Sequence, residues 1–236
     1  SLETESKVKL EDFLKKWFLN YLNDILGDLI NLTKQNIKNQ YLRALVFQLY
    51  ERNGVIKRAE IDNIVKLIPQ NERKKLWGMG IKIGRYHVYL PKMLKPKAVE
   101  FRVSLWKVYY SQDNGEKIPK SGLNFINNKN YEKKFLLLCG FENFKEFFIR
   151  IDILEKLFIK ILNNTKDRKF KINAEMMNLL GCTKDNFYTL MSLMNYKKDK
   201  DKDTYIFKGE KKKVSKIIKF DKKENPFKKL LSLNLK

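Results

Sequence analysis

Residues 77–96 read WGMGIKIGRYHVYLPKMLKP, and this stretch decides the fold that the sequence predicts. A polar, helix-forming run ends at Trp77, and two short segments of β-prone residues with glycines follow it. Pro91 stops the second segment. A new helix is expected to begin at Pro96, because proline is well tolerated in a first helical turn. The stretch therefore predicts a β-hairpin, IKIG followed by RYHVYL, between helices.

Apolar residues at helical spacing predict the helices around this hairpin. They predict a long helix over residues 8–32, which Gly27 weakens or breaks near its end. Further helices are expected at about residues 39–52, 59–68 and 70–77, with a proline between the last two. The order helix, turn, helix and hairpin is typical of a small winged-helix-like unit.

The same order appears again toward the C-terminus. Residues 173–196 predict two helices, because Gly181 ends the first and the hydroxyl of Thr183 can cap the second. The β-prone segments TYIF, residues 204–207, and VSKIIKF, residues 214–220, predict a second hairpin. The expected fold class is mainly α: a helical bundle with helix-turn-helix or winged-helix-like units and one or two short β-hairpins.

A stretch rich in Asn, Gly, Ser and Lys, residues 111–131, is the clearest loop in the sequence. We expect it to link two domains. Residues 1–110 would form a helical domain with a helix-turn-helix and a short hairpin. Residues 132–236 would form a second helical domain with a winged-helix-like hairpin and a basic C-terminal tail.

The chain of 236 residues carries a formal net charge of +23, from 50 Lys and Arg against 27 Asp and Glu. Such an excess favours a polyanionic partner, most often nucleic acid. Lysine accounts for 42 of the basic residues and arginine for 8, as the codon bias of an AT-rich genome would produce, so we attribute part of the charge to that bias. A polar N-terminus of mixed charge, together with the lack of a membrane-spanning apolar run, favours a cytoplasmic protein.

The sequence offers little that is typical of an active site. His87 is the only histidine, and its alternation with Tyr86 and Val88 places it on the opposite, polar face of its strand. A solvated or hydrogen-bonded structural role is expected there. Cys139 and Cys182 stand in apolar contexts, which predicts buried thiols and too few ligands for a zinc site. GMGIKIG lacks the Gly-Lys-Ser/Thr ending of a phosphate-binding loop. We expect no catalytic residue and no metal site in this chain.

Two groups of residues are candidates for nucleic-acid binding. The first lies on the polar face of the first hairpin, where plain solvent exposure is the alternative. The second belongs to residues 197–236, whose 15 Lys and 6 acidic residues give a net charge of +9. There the lysines would follow phosphates, while the two strand aromatics would either stack on bases or pack the hairpin onto its helices. The candidates are Lys82, Arg85, His87, Tyr89, Tyr205, Phe207, Lys208, Lys211, Lys212, Lys213 and Lys216.

Several segments resemble, in the same order, the C-terminal region of Suv3-like superfamily-2 helicases of alphaproteobacteria, which are of the DEAD/DEVH type. The most specific are GIKIGRYHVYLP and the LGC of EMMNLLGCTKDNF, and the resemblance covers about residues 10–233. Weaker matches are NQYLRALVFQLYERNGVIKR, CGFENFKEFFIRIDILEKL and NPFKKLL.

This resemblance implies an accessory region of an RNA or DNA helicase. The family's ATP-binding loop, acidic Mg²⁺-binding box and arginine fingers are not in this chain, so ATP and Mg would belong to the parent hydrolase and no cofactor is expected here. The implied partner is RNA or DNA, single-stranded in our expectation. The alternative is a protein-interaction or structural scaffold that docks a partner such as a nuclease through the amphipathic tail, residues 226–236.

Overall fold

Helices dominate the computed structural model, which describes residues 4–110, 115–127, 131–199 and 203–207. Short strands between the helices form three-stranded sheets. The predicted fold class, mainly α with helix-turn-helix units and short β-hairpins, is confirmed.

The described chain divides into two units. Residues 4–83 and 88–101 belong to the first, while residues 84–87 and the described residues from 102 onward belong to the second. The division falls inside a helix at residue 101, whereas the sequence predicts a linker at residues 111–131.

The elements of the first half of the chain follow the predicted order closely. They are α1 (Thr4–Lys34), α2 (Gln40–Glu51), β1 (Val55–Lys57), α3 (Arg58–Leu67), α4 (Gln70–Gly78), β2 (Lys82–Ile83), β3 (His87–Tyr89), a 3-10 turn (Pro91–Leu94) and α5 (Pro96–Tyr110). In the sheet, β3 lies between β1 and β2, and Ile83 is opposite Val88 in an antiparallel register. The order α2-β1-α3-α4-β2-β3 is that of a winged-helix-like unit.

The core of the first unit is aliphatic. The C-terminal half of α1 packs on α2, and both contribute fully buried leucines, among them Leu22, Leu26, Leu29, Leu42, Leu45 and Leu49. Helix α1 continues through Gly27 to Lys34, so the predicted weakening does not interrupt it. A helical glycine costs about 1 kcal/mol, which is less than the burial of even one leucine contributes.

The second half of the chain repeats the winged-helix-like pattern. Its elements are β4 (Phe125–Asn127), α6 (Lys133–Leu138), β5 (Phe141–Phe144), β6 (Phe147–Arg150), α7 (Ile151–Asn163), β7 (Lys169–Lys171), α8 (Ala174–Leu180), α9 (Lys184–Leu193), β8 (Tyr196–Lys198) and β9 (Thr204–Phe207). The order α7-β7-α8-α9-β8-β9 matches that of the first unit, and β9 again lies between the other two strands. A shorter version, β4-α6-β5-β6, has the same strand order.

Two expectations for this half are wrong. The loop predicted at residues 111–131 contains strand β4, which pairs with β6 along its whole length. The segment TYIF does form a strand, β9, but both of its edges are occupied by β7 and β8. A strand has only two edges, so β9 cannot also pair with VSKIIKF in this sheet. That segment, residues 214–220, lies outside the described residues.

Candidate nucleic-acid interface

The loop between β2 and β3 wraps around one buried carboxylate, that of Glu155 on α7. Glu155 is only 5% exposed. Its Oε2 accepts the backbone N–H of Arg85 at 2.6 Å, and its Oε1 accepts those of Tyr86 and His87 at 2.8 Å each. Three consecutive amides therefore satisfy a charge that would otherwise be costly to bury.

Gly84 is required by the closeness of this carboxylate. A Cβ built at Gly84 would lie 2.5 Å from Oε1 of Glu155 and closer still to its Cδ and Oε2, well inside van der Waals contact. The three amides hold the carboxylate in place, so it cannot move aside without losing hydrogen bonds. The second glycine of GIKIG thus allows a buried ion to approach the backbone and does not serve a phosphate.

His87 completes a buried network with a second carboxylate. Its Nε2 lies 2.7 Å from Oε2 of Glu142 on β5, and its Nδ1 lies 3.7 Å from Oε1 of Glu155, which is an electrostatic contact too long for a hydrogen bond. Burial acts to lower the pKa of His87, but the two carboxylates outweigh it and the net shift is upward. The two carboxylates therefore favour the charged form of His87.

The residues of the first candidate set, on the first hairpin, do not share one exposed face. His87 and Tyr89 are 2% and 5% exposed, so their expected position on a polar face is wrong. The alternation failed because His87, Val88 and Tyr89 are all buried, whichever way their side chains point. Arg85 is half-buried with its guanidinium carbon 5.8 Å from the ring centre of Phe158. Lys82 alone is exposed.

The second candidate set is divided in the same way. Tyr205 is 1% exposed and stacks on Phe170 and Tyr188, with ring centres 6.1 and 6.3 Å apart. It packs the strand onto its helices, which was the alternative to base stacking. Phe207 ends β9, and nothing is described of its side chain. The remaining candidates lie outside the described residues: Lys208, Lys211, Lys212, Lys213 and Lys216.

A basic surface that the sequence reasoning missed lies on the outer side of the same sheet. In register, Lys169 of β7 and Lys197 of β8 flank Ile206 of the central strand, and Lys171 lies opposite Thr204. All three lysines are exposed, because side chains alternate and the neighbouring residues point to the core. We call Lys169, Lys171 and Lys197 the sheet lysines. Lys169 also pairs with Asp199 at 2.7 Å.

Helix α4, the second helix of the first helix-turn-helix, carries a further exposed group. Leu76 is its buried residue, whereas Trp77 is 77% exposed. Arg73 is structural, since its Nε and Nη2 donate to the carbonyls of Ile68 and Val65 at 3.2 Å and so cap α3. Sequence reasoning treated Trp77 only as the end of the helix. The absence of an apolar partner at helical spacing in QNERKKLWG was the signal that could have identified it.

The structure adds little toward catalysis. Cys139 is buried, and burial raises the pKa of its thiol to about 12, so this sulfur is not a reactive thiolate. In the described ranges, no group of three or more His, Cys, Asp or Glu side chains is arranged to hold a metal ion. None of the helices in the described part of the chain combines the length and the apolar character needed to cross a bilayer.

Comparison with protein-family models, with curated proteins and with solved structures finds no match to this chain.

Proposed function

We propose that this chain is a nucleic-acid-binding accessory region of an ATP-dependent RNA or DNA helicase. The observation that carries the proposal is the exposed row of sheet lysines, Lys169, Lys171 and Lys197, on a winged-helix-like unit. The helicase context comes from the resemblance of segments such as GIKIGRYHVYLP, and it assigns ATP and Mg²⁺ to motor domains that this chain does not contain.

The spacing of the sheet lysines suits a phosphate backbone. Lys169 and Lys171 are two residues apart on one strand, which is about 6–7 Å, and Lys197 lies across β9, about 10 Å from Lys169. A lysine interacts with phosphate as a point charge and releases a bound counterion from the nucleic acid. Such a row gives affinity without base specificity, in keeping with a module that follows a strand while a motor moves it.

The overall charge supports the same proposal. The chain has a net charge of +23, and codon bias selects lysine over arginine without creating an excess of bases over acids. An excess of this size draws polyanions to the surface and raises their association rate.

The test is fluorescence anisotropy with labelled single-stranded RNA and DNA, titrated over salt concentration. Replacing the three sheet lysines by glutamine should weaken binding and reduce the slope of log K against log[salt] by up to about 2, at roughly 0.7 for each phosphate that is no longer neutralised. A matched control replaces three exposed lysines of α1, Lys7, Lys9 and Lys16, by glutamine. This control variant loses the same charge as the sheet-lysine variant. The wild-type chain failing to bind at low salt, or both triple variants weakening binding equally, would overturn the proposal.

A protein-interaction scaffold is the second candidate, and one observation favours it. The N-terminal half of α1 exposes a continuous apolar face, on which Phe13, Leu14 and Trp17 are 64%, 50% and 55% exposed. The flanks are neutralised by ion pairs within the helix, Lys9 with Glu5 at 2.7 Å and Lys15 with Glu11 at 2.8 Å. An apolar face with neutralised flanks suits a protein partner better than a polyanion. The tail predicted to dock a nuclease, residues 226–236, lies outside the described residues.

A pull-down with the other domains of the parent helicase as bait would test this second role. Replacing Phe13 and Trp17 by serine should abolish capture while leaving oligonucleotide affinity unchanged. Capture that is equally strong with this double variant would exclude α1 as the docking face.

A further inference from the structure

Among the described residues of the first unit, Trp77 is the most exposed large apolar side chain, at 77%. It lies near the C-terminal end of α4, the second helix of a helix-turn-helix, which is the helix such motifs present to nucleic acid. Within the described residues its ring stacks on no other aromatic ring and has no cation above it. No aromatic ring or cation among the described residues therefore accounts for an indole at this place.

The surroundings of Trp77 are positively charged. Lys74 precedes it by three residues and lies on the same side of the helix, where residues i and i+3 are neighbours. Lys82 follows the turn in which the N–H of Ile81 donates to the carbonyl of Leu76 at 2.9 Å, which returns the chain to the end of α4. Both lysines are exposed and neither has an ion-pair partner in the described part of the chain.

The acids nearby are already engaged. Glu72 accepts a hydrogen bond from Lys75 at 2.8 Å. Asp28, whose carboxylate lies 3.9 Å from the Cβ position of Gly80, pairs with Lys92 at 2.8 Å. The field around Trp77 is consequently set by Lys74 and Lys82, and an anionic ligand would meet little repulsion.

Gly78, which follows Trp77 in α4, has no side chain, and a Cβ built there would meet nothing within 4 Å. The neighbouring positions Gln70, Asn71 and Lys74 are polar, so on α4 Trp77 is the one aromatic group among polar and basic residues. A protein partner needs an extended apolar area, whereas a nucleobase needs one aromatic face and flanking positive charge.

We propose that Trp77 stacks on an unpaired base of a single-stranded nucleic acid, while Lys74 and Lys82 bind the phosphates on either side. This inference rests on the proposed function and extends it, because it assigns the first unit its own contact and selects unpaired over paired strands. A base in a duplex has both faces covered by its neighbours, so a duplex offers Trp77 no face on which to stack.

The experiment measures the affinity of the whole chain for a short oligothymidylate and for an abasic strand with the same number of phosphates. Trp77→Ala should weaken binding of oligothymidylate by about tenfold, the range that stacking on one base gives, and leave binding of the abasic strand unchanged. Trp77→Phe should restore most of the affinity. Phe47→Ala, which removes a 58% exposed aromatic ring from α2, is the matched control and should change neither.

The outcomes distinguish failure of the proposed function from failure of the stacking role alone. If the wild-type chain binds neither strand at low salt, the proposed function fails and this inference fails with it. If the wild-type chain binds but Trp77→Ala binds oligothymidylate equally well, only the stacking role of Trp77 is overturned. An equal loss on the abasic strand, or an equal loss with Phe47→Ala, would likewise overturn it. Because Trp77 is so exposed, the variant is expected to fold, and the thermal midpoint checks this.

Discussion

Replacing Glu155 by glutamine tests the proposal that a buried carboxylate organises the loop between β2 and β3. The carboxylate accepts three backbone hydrogen bonds, two at Oε1 and one at Oε2. Glutamine has the same shape but only one accepting oxygen. Its amide nitrogen must face at least one backbone N–H, so a buried donor meets another donor whichever way the amide is turned.

The magnitude follows from those contacts. A hydrogen bond to a charged group contributes about 1.5–3 kcal/mol, and a buried donor without an acceptor costs about 1–3 kcal/mol. His87 also loses one of the two negative charges that balance it. We expect the free energy of unfolding to fall by about 3 kcal/mol, which at a typical urea m-value of about 1–3 kcal/mol/M moves the midpoint down by roughly 1–3 M.

Equilibrium unfolding in urea, followed by circular dichroism and by tryptophan emission, measures that shift. Because the chain has two units, the transition that reports on α7 is the relevant one, and its slope must stay the same for the shift to be read as stability. Glu175→Gln is the control. Glu175 pairs with Lys160 at 2.6 Å on the surface, so the urea midpoint of this variant should equal that of the wild-type chain. A shift with Glu155→Gln no larger than with Glu175→Gln would refute the organising role.

Three further outcomes follow from the same region and its neighbours. Gly84→Ala should destabilise the chain by about 1–3 kcal/mol, because the added Cβ overlaps the fixed carboxylate of Glu155. Gly78→Ala, whose Cβ would meet nothing within 4 Å, should be neutral or slightly stabilising, and thermal midpoints compare the two variants. Burial lowers the pKa of His87, but the neighbouring carboxylates raise it by more, so the net shift is upward. The contribution of His87 to the free energy of unfolding is therefore complete below about pH 6.5 and is lost as the pH rises through the raised pKa. As the pH is raised from about 6, urea midpoints should therefore fall more for the wild-type chain than for His87→Gln, and equal falls would contradict this. Tyr205→Phe should retain both stability and oligonucleotide affinity, since its ring is packed and phenylalanine keeps the ring; a large loss of affinity without a loss of stability would instead indicate a nucleic-acid contact of the Tyr205 hydroxyl.

Helix ends were predictable because their chemistry is local. The side chain of Asn39 accepts from the backbone of Tyr41 and Leu42, and that of Thr183 accepts from Asn186. Gly181 ends α8 with a φ of 69°, a conformation that glycine adopts without strain. Each of these signals lies within a few residues of the boundary that it marks, so hydrophobic periodicity and capping were sufficient to place the helices.

Strand pairing and burial were not predictable in the same way. The partner of β4 is β6, at least 20 residues later, and β9 pairs with β7, from which α8 and α9 separate it in the sequence, as well as with β8. His87 alternates as a polar-face residue should, yet Glu142 and Glu155 come from elements 55 and 68 residues away and give it a buried place. The exposure of Trp77 is likewise a result of tertiary packing. A period of two identifies the faces of a strand, but it does not indicate which of them is covered.

The buried network explains what the most distinctive motif of the chain does. GIKIGRYH, CGFENF and IDILEKL are three of the segments that resemble the helicase family, and they supply Gly84, His87, Glu142 and Glu155. These residues meet in one set of contacts in which the histidine and both carboxylates are buried, so their identities are dictated by fit and charge balance. Because a set of this kind fixes architecture, the motif GIKIGRYH reports on the fold of this chain more directly than on a ligand. The evidence for function must come from exposed residues such as the sheet lysines and Trp77, whose identities no packing constraint dictates.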